Sequence, residues 1–314
     1  MDPGSRQVIY AALIGNALVA AAKFAAAAFT HSAAMLSEAV HSLVDTTNEL
    51  LLIYGSYRAK RPPDRQHPLG YGREVYFWSF IVSLLVFLLG TLVSIGQGIS
   101  HLLSPVEIEY PAVNYAVLGI AAVLETGSWW VSFREFRSRK GGRSYLEAAQ
   151  ETKDPSVVTV FLEDTAALIG ISFALAGNVA AQALDDPRYD AAASIAIGVL
   201  LAMVAAFLAR RNKNLLIGES ADPRLVKSVA RIARSEPGVA RFNGLLTIHL
   251  APEEVVATLS LEFAEALHAS GVEAVVARLE HRIRRRHPEI VMVLIKPQTP
   301  KSWRKSRRAW LTKG

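Results

Sequence analysis

The chain has 314 residues, of which 51% are hydrophobic, and its formal net charge is +6. It contains no cysteine, which excludes disulfides, thiolate zinc sites and cysteine nucleophiles, so any metal ligand must be a His, Asp, Glu or Asn side chain. The basic residues cluster beside apolar segments, which favours contact with a lipid bilayer and argues against nucleic acid as a partner.

The hydropathy pattern divides the chain into a membrane part and a soluble part. We predict a transmembrane domain over residues 1–212, a cytoplasmic α+β domain over 213–298 and a basic tail over 299–314. A transmembrane helix needs about 20 mainly apolar residues, and six segments qualify, of which the third is long. The predicted spans are 8–29, 33–57, 75–102, 112–136, 157–183 and 190–210.

The charges of the loops predict the orientation of these spans. The loops at 58–65 and 134–140 are basic, whereas the loop at 30–32 has no Lys or Arg and the loop at 104–110 is acidic. Basic loops remain in the cytoplasm, so both termini are expected there. Only residues 1–7 precede the first apolar run, which leaves no room for a transit peptide. We therefore expect a bacterial cytoplasmic membrane.

Ionisable residues inside the second span give the strongest functional signal. His41 and Asp45 are four residues apart, so they share one helix face and can bind the same ion. Asn48 and Glu49 continue this polar stripe. Ionisable groups at membrane depth are costly and usually functional. We predict that His41 and Asp45 bind metal, with Asn48 as a further candidate and Glu49 in support; a bond to a neighbouring helix is the structural alternative.

The fifth span contains a second acidic pair, Glu163 and Asp164. Adjacent helical residues point about 100° apart, so both cannot face one ion squarely. We assign Asp164 as a ligand and leave Glu163 as a fourth ligand, a proton carrier or the partner of a basic group. Glu125, in the middle of the fourth span, is a candidate for coupling or support.

A lysine in the first span needs an explanation as well. Lys23 lies seven residues after Asn16, on the same helix face. It needs an acidic neighbour, and Glu125, Glu163 or Asp190 could serve. A buried salt bridge and a coupling role both remain open. Asp190 also suits the start of its own helix, where acidic side chains are favourable.

Asp64 and His67 form a possible secondary metal site in the second loop. They are three residues apart, which is weak support for metal binding. A solvated loop is the favoured explanation.

Several strings in this order resemble motifs of the cation diffusion facilitator family. LSEAVHSLVD at 36–45 is similar to the signature of its second helix, and HPLGYGR at 67–73 to the motif before its third helix. Strings at 154–156, 162–167 and 186–190 resemble the zinc transporter nine-like branch. The resemblance extends over residues 8–297.

This resemblance implies a secondary transporter, not an enzyme, that exports a divalent cation by exchange for protons. Zinc is the first candidate substrate, with manganese, iron(II), cobalt or cadmium as alternatives. The implied ligands are His41, Asp45 and Asp164. The family's fourth ligand position is Val160 here, which cannot bind metal. The candidates that would complete the site are water, Glu163, Asn48 and Glu125.

Beyond residue 210 the pattern predicts the element order α-β-β-α-β, typical of a small ferredoxin-like α+β sandwich. The predicted elements are 223–235, 245–250, 255–263, 272–286 and 291–295. The resemblance implies a homodimer formed by this domain. Asn243 stands where many relatives have a histidine, so we predict no bound metal there. The basic tail, with Trp303 and Trp310, either lies on the anionic inner leaflet or is disordered.

Two other functions have weaker support in the sequence. An intramembrane metallohydrolase lacks support, since neither His-Glu-x-x-His nor Gly-x-Ser-x-Gly occurs. A transport-inactive relative that acts as a membrane scaffold or regulator is supported by Val160.

Overall fold

A computed structural model describes the backbone of residues 3–311 and the side chains of residues 13–309. The chain divides into two compact units. One contains the residues up to 60 together with 74–213, and the other contains 61–73 together with the residues from 214 onward.

The first unit is a bundle of long helices. Its helices are α1 Pro3–Thr30, α2 Ala33–Ala59, α3 Glu74–Leu85, α4 Leu92–Leu103, α5 Pro111–Lys140, α6 Tyr145–Glu151, α7 Pro155–Leu184 and α8 Arg188–Ile217. The predicted class, a polytopic helical protein followed by a small α+β domain, is confirmed.

Five helical segments of the described residues are long and apolar enough to cross a membrane. They are Leu13–Thr30, Glu74–Leu103, Pro111–Lys140, Pro155–Leu184 and Arg188–Ile217. The remaining predicted span, α2, has 27 residues and thus sufficient length. It contains Glu38, Asp45 and Glu49, and it is not among these five segments. The helix that carries the predicted ligand pair thus has acidic residues along much of its length.

The third span is not one continuous α-helix, as the sequence had suggested. Between α3 and α4, residues Val86–Thr91 form a π-helical turn. Gly90 lies in this turn, and a Cβ there would be 3.0 Å from the Leu201 side chain of α8. π turns insert an extra residue into a helix, and the whole span, Glu74–Leu103, has 30 residues, as three of the other spans do.

The basic fourth loop contains a short helix that the sequence reading missed. Ser144 accepts a hydrogen bond from the Glu147 amide at 3.2 Å, and the Glu147 carboxylate accepts one from the Ser144 amide at 2.9 Å. This is a capping box. The Ser-x-x-Glu spacing at 144–147 is its sequence signal.

The second unit contains a three-stranded sheet of order β1-β2-β3, with β1 antiparallel and β3 parallel to the central strand β2. Its elements are α9 Pro223–Arg234, β1 Val239–Ala251, β2 Glu254–Phe263, α10 Ala269–Arg286, β3 Ile290–Pro297 and α11 Pro300–Leu311. The predicted α-β-β-α-β order is confirmed, although β1 begins earlier than predicted. Buried side chains from both helices and the sheet, including Val229, Leu259 and Leu279, form its core.

The basic tail is helical rather than disordered over Pro300–Leu311. The ring of Trp303 packs against Gly244 of β1, where a side chain would collide with it. The Trp310 side chain lies outside the described residues. Contact of the tail with the inner leaflet stays a prediction.

Residues 61–73, between α2 and α3, group with the second unit, which the sequence boundaries had not anticipated. Gly72 lies against the Leu250 carbonyl and the side chains of Ala251 and Glu254, at the β1–β2 hairpin. On the first unit, Arg58 and Glu74 flank this loop and form an ion pair at 3.0 Å.

Candidate metal site in the helix bundle

The predicted pair on α2 is buried and close together. His41 Nδ1 lies 3.4 Å from Asp45 Oδ1, and the two side chains are 1% and 22% exposed. Neither ring nitrogen of His41 has a hydrogen-bond partner, and neither has Asp45 Oδ1. Buried polar atoms are normally hydrogen-bonded. No hydrogen bond satisfies these three atoms, although His41 Nδ1 and Asp45 Oδ1 lie against each other, so all three are candidates to bind a ligand.

Helix α7 contributes the acidic pair from the other side of the bundle. Glu163 is buried, and its Oε1 accepts a hydrogen bond of 2.7 Å from Asn48 Nδ2 on α2. The Oδ1 atom of Asn48 has no partner. Asp164 faces α5, where Ser128 Oγ lies 3.4 Å from each carboxylate oxygen. The side chain of α7 that contacts α2 directly is thus Glu163, which the sequence reading ranked below Asp164.

The candidates do not form a closed metal site in this conformation. Within the part of the chain that the structure describes, no three His, Asp or Glu side chains are grouped to hold one ion. Asp45 is within electrostatic range of Glu163 and Asp164. Val160 lines a cavity of about 320 Å³ between α5 and α7, together with Ser128 and Ser132. Its apolar side chain offers this cavity no metal ligand.

The partner of Lys23 differs from all three that the sequence suggested. Its ammonium group lies 3.1 Å from Glu38 Oε2, and both side chains are fully buried. It also donates to Ser42 Oγ at 2.7 Å. Glu38 belongs to the α2 motif, but its spacing from Lys23 across the α1–α2 turn gave no signal for this contact.

Asp190, one of those proposed partners, serves another helix. Its carboxylate accepts hydrogen bonds from the Ser32 hydroxyl at 2.7 Å and the Ala33 amide at 2.6 Å, at the first turn of α2. Asn178 of α7 donates to it at 2.9 Å. Asp190 thus caps α2 across the bundle, besides lying in the first turn of α8.

The remaining supporting residues occupy separate positions. The Asn16 side-chain amide donates a hydrogen bond of 3.3 Å to the Glu49 carboxylate, at an exposed contact between α1 and α2. Glu125 on α5 is partly buried and lies within electrostatic range of Lys23. Neither Glu49 nor Glu125 contacts His41 directly by hydrogen bond.

The loop pair is organised as a turn. His67 Nδ1 lies 3.6 Å from Asp64 Oδ1, and both side chains are about half exposed. Asp64 accepts hydrogen bonds from the Gln66 and His67 amides and from the Tyr71 hydroxyl. The Tyr71 bond, foremost among these, lowers the pKa of Asp64. These bonds explain the spacing of Asp64 and His67 without a metal ion.

Comparison with known proteins agrees with this architecture. Residues 9–217 match the model of the cation efflux transmembrane domain. The human mitochondrial proton-coupled zinc antiporter SLC30A9 is 33% identical over 262 residues, which cover 83% of this chain and 46% of that protein. Metal tolerance protein C4 of Arabidopsis thaliana is 34% identical, over 75% of this chain and 52% of its own length.

A more distant relative is the manganese efflux system protein MneP of Bacillus subtilis, 24% identical over 71% of this chain and 72% of that protein. The chain spans about half the length of the first two relatives. The match to the transmembrane model extends over all the long helices of the first unit. The chain therefore belongs to the cation efflux, or cation diffusion facilitator, family of multi-pass membrane transporters, which are not enzymes.

Proposed function

We propose that this protein exports a divalent metal cation from the cytoplasm in exchange for protons, with zinc as the first candidate. The names of the relatives, which specify proton-coupled zinc antiport and manganese efflux, support this class of substrate. Manganese, iron(II), cobalt and cadmium remain alternatives, since His and carboxylate ligands accept all of them.

The observation that carries the proposal is the unsatisfied pair on α2. His41 is almost completely buried, yet both its ring nitrogens lack a hydrogen-bond partner, and Asp45 Oδ1 beside it also lacks one. A buried polar group without a partner costs about 1–3 kcal/mol. Three such atoms on one helix face support a ligand site rather than a structural contact.

Proton exchange follows from the same residues. Imidazole and carboxylate groups bind metal only in their deprotonated forms, so metal binding releases protons and protonation releases metal. Alternating exposure of one such site to the two membrane faces would couple outward metal movement to inward proton movement. His41 is the proposed switch, because an imidazole nitrogen binds either a proton or the metal ion.

Completion of the site requires a movement between α2 and α7. Asp164 is the proposed third ligand, and it lies towards Ser128 of α5. Glu163 already reaches α2 through the Asn48 amide nitrogen, and rearrangement of this hydrogen bond would release the carboxylate for the ion, while Asn48 Oδ1 has no hydrogen-bond partner. We propose that Glu163 or Asn48 supplies the ligand that Val160 does not.

The orientation and assembly belong to the same proposal. Both termini and the α+β domain lie in the cytoplasm, as the basic loops indicate, and the domain forms a homodimer without bound metal. We propose the bacterial cytoplasmic membrane as the location; the name of the human relative instead specifies mitochondria.

The test is metal uptake into proteoliposomes that carry the purified full chain, with an imposed pH gradient. Zinc, manganese, iron(II), cobalt and cadmium are each offered with and without the gradient. Gradient-dependent uptake of one ion, lost in Asp45→Ala, is the expected result. Thr47→Ala is the matched control on α2, because the Thr47 hydroxyl only contacts the Leu43 carbonyl of its own helix.

Absence of uptake for every ion, with the wild-type protein folded, would contradict the proposal. It would favour the second candidate, a transport-inactive membrane scaffold. Val160 and the lack of a closed three-residue group among the described residues are the observations that favour this candidate.

A further inference from the structure

A fully buried ion pair lies beside the proposed ligands, and no step of metal binding described above uses it. Lys23 of α1 contacts Glu38 of α2 at 3.1 Å, with both side chains 0% exposed. Glu38 is three residues before His41, and Ser42, the second acceptor of Lys23, directly follows His41. The ammonium group therefore lies against the same stretch of α2 as the ligand pair.

This pair is poorly suited to a purely structural role. Glu38 Oε1 has no hydrogen-bond partner. Lysine has three donors, and the hydrogen bonds of Lys23 are made to two acceptors, Glu38 and Ser42. A buried ion pair stabilises a fold only when its geometry is excellent and its remaining polar atoms are satisfied. An incompletely satisfied pair at membrane depth indicates a function.

Lys23 contacts one carboxylate and acts electrostatically on others. Its contact is with Glu38, and it also acts on Asp45, on Glu125 of α5 and on His41. The lysine side chain is a compact charge on a flexible four-carbon stem.

We propose that Lys23 is an internal counter-cation of the transport site. When a divalent cation occupies the site, the ammonium group is held by Glu38 and Ser42. When the cation has left, the ammonium group moves towards Asp45 and Glu125 and compensates their charge. The tethered cation thereby competes with the metal and keeps its affinity low enough for release. This inference rests on the proposed function.

The test measures the zinc dissociation constant of the purified full chain by calorimetry at fixed pH, together with the maximal rate of uptake. Lys23→Met removes the competing charge, so zinc should bind at least about tenfold more tightly while the maximal rate falls. Glu38→Gln removes the acceptor that holds the ammonium group, so zinc should bind more weakly. Lys23→Arg keeps the positive charge, so its zinc dissociation constant should stay close to that of the wild type.

The double variant Lys23→Met/Glu38→Gln separates this role from a structural one. It leaves no stranded charge, so a simple bond between α1 and α2 would predict recovery of both affinity and rate. The counter-cation predicts that zinc binding stays tight and uptake slow. Recovery to wild-type values, or a shift of both single variants in the same direction, would overturn the inference.

Failure of the proposed function gives a different result. If the wild-type protein neither binds nor transports any of the metals, both ideas fail. If it transports metal and the double variant behaves like the wild type, only the counter-cation role fails.

Discussion

The two ends of one polar face in the bundle differ in how completely their hydrogen bonds are formed. At the start of α2, Asp190, Ser32 and Asn178 bond one another, and Asn178 Oδ1 accepts from Asn114 at 2.7 Å. No side-chain atom of these four described residues lacks a partner. Two turns further along α2, His41 and its neighbours leave several buried atoms unpaired.

This difference separates a structural cluster from a functional one. A satisfied buried network rigidifies the helices that it joins, whereas unpaired atoms add a cost that a ligand removes on binding. Substitutions at the start of α2 should therefore affect stability, and substitutions at the middle of α2 should affect metal binding and transport.

The largest effect on transport is expected from the middle of α2. His41→Ala removes an imidazole whose two nitrogens have no partner. Transport should fall at least about a hundredfold, and the pH dependence of the remaining rate should change, because the site on α2 then contains no imidazole to exchange a proton for metal. The measurement is proton-driven uptake as a function of pH.

Ser37→Ala is a control for His41→Ala one turn earlier on the same helix. The Ser37 hydroxyl is paired with Ser194 at 2.7 Å, so its loss should change stability more than transport. Wild-type transport by His41→Ala, with unchanged pH dependence, would contradict the division between the two clusters.

A large effect on stability is expected from Asp190→Asn. The carboxylate accepts bonds from the Ser32 hydroxyl, the Ala33 amide and Asn178, and an amide can accept through only one of its two terminal atoms. The free energy of unfolding should fall by about 2 kcal/mol, with an unchanged metal dissociation constant. Thermal unfolding and calorimetry measure the two quantities. Asp185→Asn is the matched control, because Asp185 is exposed at the end of α7.

If Asp190→Asn instead abolished metal binding with no loss of stability, the start of α2 would belong to the transport site and the comparison would fail.

Much of this architecture could be predicted from the sequence, because the signals are local. Apolar length predicted the long helices, alternation predicted the three strands, and the four-residue spacing of His41 and Asp45 predicted their contact. The roles of Glu38 and Asp190 could not be predicted in this way. Glu38 of α2 contacts Lys23 of α1 across the connection between the two helices. Asp190 contacts the first turn of α2 although it lies 157 residues away in the sequence.

The same limit explains two other differences. The π turn at Val86–Thr91 places Gly90 against Leu201 of α8, a contact that no local pattern reveals. Residues 61–73 are polar and read as a simple loop, yet they group with the α+β unit through contacts such as that of Gly72 with Ala251.

A smaller effect is expected at the boundary between the two clusters, from Gly170→Ala. Gly170 of α7 faces Glu38, and a Cβ there would overlap Glu38 Oε1. Displacement of this buried carboxylate should cost about 1 kcal/mol of stability and should also shift the metal dissociation constant, because Lys23 is held by Glu38. Thermal unfolding and calorimetry measure both quantities.

Gly119→Ala is the control, since a Cβ there meets open space on α5. It should leave metal binding unchanged and slightly favour the helix. Equal behaviour of Gly170→Ala and Gly119→Ala would show that the position of Glu38 does not matter.

The smallest effect is expected in the exposed loop, where Tyr71→Phe removes one bond from a well-satisfied carboxylate. The Tyr71 hydroxyl donates to Asp64 at 2.6 Å, and this bond is the main cause of the lowered pKa of Asp64. A lowered pKa in the folded state stabilises the protein above the unfolded pKa, and this contribution is lost as the pH falls through the folded pKa. The variant should raise the pKa of Asp64, so it should be slightly less stable than the wild type at neutral pH and equally stable in acid.

Thermal unfolding against pH measures the difference in stability between Tyr71→Phe and the wild type, and Asp64→Asn should abolish this difference. A difference that persists in the Asp64→Asn background would place the effect in the packing of the Tyr71 ring on His67, 4.3 Å away between ring centres, rather than in the carboxylate.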